Sequence, residues 1–263
     1  MSYLYETHLH TVGVSACAVS RGSDYIKGYR DRGYSGIIVT DHFYNGNCAL
    51  LKNLPWKEWV KRFCRGYEEA REEGERWGLD VFFGWEETFD NCDDYLIYGL
   101  DREWLLEHPE ARNWTRGEQY RAITAAGGCV VQAHPFRQHY YINRVILSAG
   151  CVDAVEAANA GNHDQAYDAL AFRYAKKIGK PVTAGTDMHD ASRLHEEELY
   201  GVYLSKKPNS IADFAAAIRN NEVIGIKASP GRCDYHGGED VTLPVDIRDG
   251  NDRIVSKKWR EYI

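Results

Sequence analysis

Five stretches of the chain end an apolar segment with residues able to bind a metal ion: "ETHLH" at 6–10, "IIVTDH" at 37–42, "VFFGWEE" at 81–87, "CVVQAHP" at 129–135 and "PVTAGTDMH" at 181–189. Imidazole mixed with carboxylate is a donor set for Zn, Mn or Fe rather than for Ca or Mg alone. Residues two apart on a strand point the same way, so His8 and His10 can reach one ion together. Asp187 and His189 can do the same if their strand persists. Each stretch alone has an ordinary reading: exposed strand histidines, a turn opened by Asp41–His42, a helix cap at Glu86 or Asp187, a strand stopped by Pro135 beside His134. Recurrence at the same point of successive units favours a metal centre.

Something must bring these ends together, and the apolar patterning supplies it. Segments rich in Val, Ile, Tyr and Phe read as strands near 3–10, 36–42, 80–89, 94–100, 129–135, 152–159, 181–187 and 199–205. Segments of helical period alternate with them, the pattern of strand-helix units around a largely parallel sheet, whose strand ends converge on one face. Ser23 caps a helix over 24–32 with Gly33 as its stop, and Pro55 opens a helix closed by Gly78. In the latter, Trp56, Trp59, Val60, Phe63, Tyr67, Ala70 and Trp77 share a face and read as core. Thr115 and Glu118 form a capping box, Asn162 precedes a helix reaching Gly179, and Ser210 precedes "IADFAAAIRNN". The alternation covers residues 1–227 as one domain, and 228–263, rich in Gly and Asp, reads as an irregular C-terminal extension packed on or beside it.

Composition narrows the function classes. A chain of 263 residues, 44% hydrophobic, can bury a large core, which excludes a disordered or fibrous protein. No apolar run is long enough to span a bilayer and the N-terminus lacks a secretory pattern, so a cytoplasmic protein without membrane contact is expected. Seven cysteines without a CxxC pair suggest buried thiols, not disulfides. The net charge of −7 argues against an extended nucleic-acid duplex as partner.

The motifs "HLHT" at 8–11, "VTDH" at 39–42, "GWE" at 84–86, "AHP" at 133–135 and "GTDMH" at 185–189, in this order, resemble those of the PHP (polymerase and histidinol phosphatase) metal-dependent phosphoesterases. The resemblance implies an α/β fold, a distorted (β/α)7 TIM-like barrel with two to three divalent ions (Mn, Zn or Fe) at the C-terminal face of its strands. It implies that His8, His10, Glu86 and Asp187 hold one ion. Glu86 would bridge to a second also held by His134, and His42 with His189 would hold a third, with Asp41 orienting a ligand histidine. Two positions depart from the family pattern. Ser15 and Ala16 stand where Asp or His is usual, leaving Cys17 as a substitute ligand or a packed thiol, and Leu96 stands where a histidine is usual, leaving Asp93 or Asp94 to help.

The implied reaction is hydrolysis of a small phosphomonoester or nucleotide phosphate by a metal-held hydroxide, with Glu86 and Asp187 central to it. Arg137 is the leading candidate to clamp the phosphoryl group, Arg193 and Arg21 are weaker ones, and Asn159 sits at the right face for a substrate contact. The alternatives are an amidohydrolase-like metal hydrolase, for which no lysine sits in a matching place, and a metal-binding module without activity.

Overall fold

The structure, a computed structural model, describes residues 2–90, 93–196, 198–236 and 241–263. The chain opens with β1 (Tyr3–Glu6), α1 (Gly22–Asp31) and β2 (Gly36–Val39). The single helix expected between Pro55 and Gly78 is two, α2 (Trp56–Phe63) and α3 (Arg65–Trp77), joined at Cys64. Gly78 ends α3 in the left-handed region at φ 69°, which a residue without a Cβ adopts freely. The aromatic face packs largely as expected, with Trp59, Val60, Phe63 and Ala70 buried, whereas Trp77 stays partly exposed under the Arg30 guanidinium.

The strand expected over 80–89 breaks into β3 (Asp80–Phe83) and β4 (Trp85–Phe89) at Gly84, where the chain leaves one sheet for another. A Cβ at Gly84 would stand 2.8 Å from the Ile97 carbonyl oxygen, so only glycine makes this crossing without displacing backbone. Then follow β5 (Asp93–Tyr98), α4 (Arg102–Glu107), α5 (Arg116–Ala125) with the expected Thr115–Glu118 capping box, and β6 (Cys129–Gln132). Beyond lie β7 (Val145–Leu147), β8 (Ala154–Asn159), α6 (Gln165–Lys177), capped by Asp164 rather than Asn162, and β9 (Val182–Gly185). The chain continues with β10 (Gly201–Leu204), α7 (Ile211–Arg219) capped by Ser210, β11 (Val223–Lys227), β12 (Val245–Arg248) and β13 (Ile254–Ser256).

One five-stranded sheet has the order β11-β10-β1-β2-β3 and the other β4-β5-β6-β8-β9. Both are mixed, not largely parallel: β4 and β5 form a hairpin too short to hold a crossover helix, so they pair antiparallel, as do β5 with β6 and β10 with both its neighbours. No closed ring of paired strands forms among the described residues; isolated parallel bridges, His42 to Glu86 and Leu9 to Met188, join the two sheets at opposite seams. The extension read as irregular contains β12 and β13, and β12 pairs parallel with β7 in a third sheet of three strands. Neither was visible as a strand because each is short and lies between Gly- and Asp-rich turns. Among the described residues no helix is long and apolar enough to cross a membrane, and the six described cysteines are all free.

Candidate metal centre

At the end of β1, Leu9 turns into the core, which sends His8 and His10 together to the opposite side. The turn is held by Glu6, buried behind them, whose carboxylate accepts the N–H groups of Thr7, His8 and Thr186 and the hydroxyls of Tyr29 and Thr186. Gly185 lets the end of β9 approach: a Cβ there would meet His8 Cβ at 2.5 Å and Glu156 Oε1 at 2.7 Å. Two residues of this face, His134 at φ 29° and Asp187 at φ 59°, hold backbone conformations that L-residues rarely adopt. Such strain persists where the surroundings demand it, as at ligand sites.

The seven residues expected to bind metal converge. Glu86 Oε1 lies 3.3 Å from His8 Nε2 and 3.4 Å from His134 Nε2, and Glu86 Oε2 lies 2.7 Å from His42 Nδ1 and 3.6 Å from His10 Nε2. Asp187 Oδ1 lies 3.1 Å from His10 Nε2, 3.5 Å from His8 Nε2 and 3.7 Å from His189 Nδ1. Donor atoms fall within 4.8 Å of one another in the groups His8–His10–Asp187, Glu86–Asp94–His134, His10–His42–His189 and His8–His134–Glu156. Buried polar atoms normally find hydrogen-bond partners, yet His8 Nε2, His42 Nδ1 and Glu86 Oε2 are buried with none. Lone pairs that crowd a common centre without hydrogen-bond geometry suit a divalent cation, and this donor set fits one.

A surrounding layer fixes the imidazoles. His8 Nδ1 lies 3.0 Å from Glu156 Oε1, and Glu156 Oε2 accepts the His134 N–H and the Asn159 amide. Asp41 is linked to His10 through an intermediary: Ser15 Oγ donates to Asp41 Oδ1 at 2.6 Å and lies 3.2 Å from His10 Nδ1. Thr11 donates to the same carboxylate from its N–H and its hydroxyl. Glu156 escaped the sequence reading because it is one acid inside the apolar run "AVEAAN"; an acid buried mid-strand is the signal that could have marked it.

The pKa shifts follow from this crowding. Burial opposes charge on His8, but Asp187, Glu156 and Glu86 around it outweigh this and raise its pKa well above the usual value. Burial acts alike on Glu86, where His42 and His8 overcome it and hold the carboxyl well below its usual range; His8 and Arg137 do this for Asp187. Burial, with His42 and His189 beside it, pushes His10 the other way, toward the neutral form. At Asp94 burial and the neighbouring Glu86 raise the carboxyl to about 6.

The two departures resolve differently. Leu96 is core, facing Glu86 across the hairpin, and Asp94, two register pairs along, puts Oδ2 3.9 Å from His134 Nε2. Asp93 is engaged instead by Arg116 at 2.6 Å. The Cys17 thiol borders the cavity over the cluster; burial raises its pKa, but hydrogen bonds with His189 and His42 outweigh that and lower it to about 6.

Arg137 is not a free clamp. Its guanidinium donates to Asp187 Oδ2 at 2.9 Å, Asn159 Oδ1 at 2.7 Å and Asn162 Oδ1 at 2.9 Å. Asn159 is fully buried, its amide shared between Arg137, Gly161 and Glu156. Arg193 lines a side cavity of about 320 Å³ with Arg137, His163 and His189. Arg21 lies at the start of α1, where its N–H donates to Asp24, and lines neither cavity of the cluster. The main cavity, about 560 Å³, has Glu86, His134, Asp187 and His189 on its walls.

Neither a protein-family model nor a curated protein matches the sequence. Solved structures do match. One is a two-domain protein from Bacteroides vulgatus described as containing a predicted PHP-like metal-dependent phosphoesterase (TM-score 0.57, 15% identity over 84% of this chain), of whose length this chain spans 64%. Another, assigned as a metal-dependent phosphoesterase from Bifidobacterium adolescentis, matches with TM-score 0.53 and 16% identity over 83% of this chain and 96% of the other. The lesion-specific endonuclease PfuEndoQ from Pyrococcus furiosus matches with TM-score 0.54 and 12% identity over 86% of this chain and 57% of the other. At such identities the likeness is one of architecture: the chain shares the α/β fold of these structures.

Proposed function

We propose that the chain is a metal-dependent phosphoesterase that hydrolyses a small phosphomonoester or nucleotide phosphate. The observation that carries the reading is the convergence of His8, His10, His42, His134 and His189 on Glu86 and Asp187, with buried donor atoms left without hydrogen-bond partners. In this reading the two sheets are halves of a distorted barrel formed by residues 1–227, with 228–263 packed beside it. Two to three ions (Mn, Zn or Fe) bound there supply Lewis acidity toward a phosphoryl oxygen and toward water.

The protein's own residues do the rest. Glu86 and Asp187, each facing several imidazoles, would hold such ions together with those histidines. Glu156 and the Ser15–Asp41 pair hold His8 and His10 with Nε2 directed inward. Arg137, fixed by Asn159 and Asn162, positions Asp187. Arg193, in the adjoining cavity, is the group we assign to the phosphoryl oxygens. The net charge of −7 favours a small substrate over a long duplex.

The test is metal content by elemental analysis with phosphate release from p-nitrophenyl phosphate and a nucleotide panel in Mn²⁺. Two or three ions per chain and turnover are expected, both lost in His10→Ala and Asp187→Ala. A metal-loaded protein that releases no phosphate from any ester overturns the reading. One that cuts a lesion-bearing duplex while sparing the esters moves it to an endonuclease.

A further inference from the structure

The loop after β6 carries aromatic side chains out over the cavity. Its base is tied down: the Gln138 side-chain oxygen accepts the N–H groups of Thr242 and Leu243 and the Thr242 hydroxyl, and Ile142 is buried. Between these anchors Tyr140 is 92% exposed and Tyr141 49% exposed, and both line the cavity that holds Glu86, His134 and Asp187. Their rings stand 5.3 Å apart at 82°, and the His139 ring is 4.6 Å from one and 4.3 Å from the other. The lining of the same cavity also includes Asn45, Gly46 and Asn47. Leaving so much aromatic surface in water is unfavourable unless something covers it.

We propose that Tyr140 and Tyr141 form the leaving-group subsite and select esters whose leaving group carries a flat aromatic ring. This rests on the phosphoesterase reading above. Two rings at a right angle make a corner in which a third lies face-on to one and edge-on to the other, the arrangements that ring quadrupoles favour. A cavity of about 560 Å³ holds a phosphoryl group at the cluster together with one such ring at the rim. A saturated ring of the same size fills the corner but gains no quadrupole attraction.

Benzyl phosphate and cyclohexylmethyl phosphate test this, because both release a primary alcohol and differ mainly in ring aromaticity. The metal-loaded enzyme is expected to favour the benzyl ester about fivefold in kcat/KM. The difference should lie in KM, since stacking holds substrate and transition state alike. The preference disappears in the double variant Tyr140→Ala/Tyr141→Ala and survives in Tyr140→Phe/Tyr141→Phe. Equal rates for the two esters in the wild type, or a preference unchanged in the alanine variant, overturn the proposal. Titration calorimetry of the metal-loaded protein with phenylphosphonate and cyclohexylphosphonate reads the same corner without turnover. If neither ester is hydrolysed, calorimetry decides alone: a ring preference lost in the alanine variant upholds the subsite, and no preference overturns it, while the phosphoesterase reading stands or falls on the wider ester panel.

Discussion

His10 Nδ1 meets the Ser15 hydroxyl at 3.2 Å, and that hydroxyl gives its own proton to Asp41 Oδ1 at 2.6 Å while accepting the His42 N–H at 3.0 Å. With its proton committed to Asp41, Ser15 accepts from His10, which places the imidazole proton on Nδ1 and the lone pair on Nε2, facing Asp187 and Glu86. Ser15→Ala removes this link while Asp41 keeps both Thr11 donors. Metal affinity is expected to fall about 10- to 100-fold, as for other lost ligand-orienting partners, read by competition with a zinc chelator. An unchanged affinity would show that Ser15 does not orient His10. The sequence marked position 15 as a departure from the family pattern, but its new role depends on a carboxylate 26 residues away, which spacing alone does not reveal.

Helix α3 crosses directly over this network at Gly66, where a Cβ would collide with the Thr11 hydroxyl and approach Asp41 Oδ2 to 3.1 Å. Gly66→Ala therefore acts twice. It overpacks the helix contact, costing about 1–3 kcal/mol, and it displaces Thr11 from Asp41, weakening metal binding. Gly33→Ala is the control: at φ 79° it strains the backbone by about 1–2 kcal/mol but touches nothing within 4 Å, so affinity should hold. Thermal melts and chelator competition on both variants separate the effects, and equal affinities would refute the link from α3 to the site. At this scale the strand ends bearing His8, His42, His134 and Asp187 were readable, because apolar runs mark strands and their polar ends stand out. The break at Gly84 was not, since a glycine within a run looks like any tolerated strand residue until its closeness to Ile97 is known. Nor was the pairing of β12 with β7, which joins segments about 100 residues apart.

The seams between the two large sheets, Leu9 with Met188 and His42 with Glu86, both lie at the cluster. The candidate ligands are divided accordingly: His8, His10 and His42 follow strands of one sheet, while Glu86, His134 and Asp187 belong to or follow strands of the other. An ion bound among them ties the sheets together where backbone pairing is sparsest, and metal binding adds to folding stability. At free metal 100 times its Kd, binding to the native state contributes about 2.7 kcal/mol. For a chain of this length that corresponds to a rise of about 5 to 10 °C in Tm. Chelation with EDTA should reverse the rise, and Asp187→Ala, which lacks a proposed ligand, should show little of it. Hydrogen exchange locates the effect. Amides at the seams, Met188, His10, Phe43 and Glu86, should gain protection on metal loading, because each donates across a seam. Those of β12 and β13, paired in the separate third sheet, should not. Uniform protection across all three sheets, or none at the seams, would show that the ions do not join the halves of the fold.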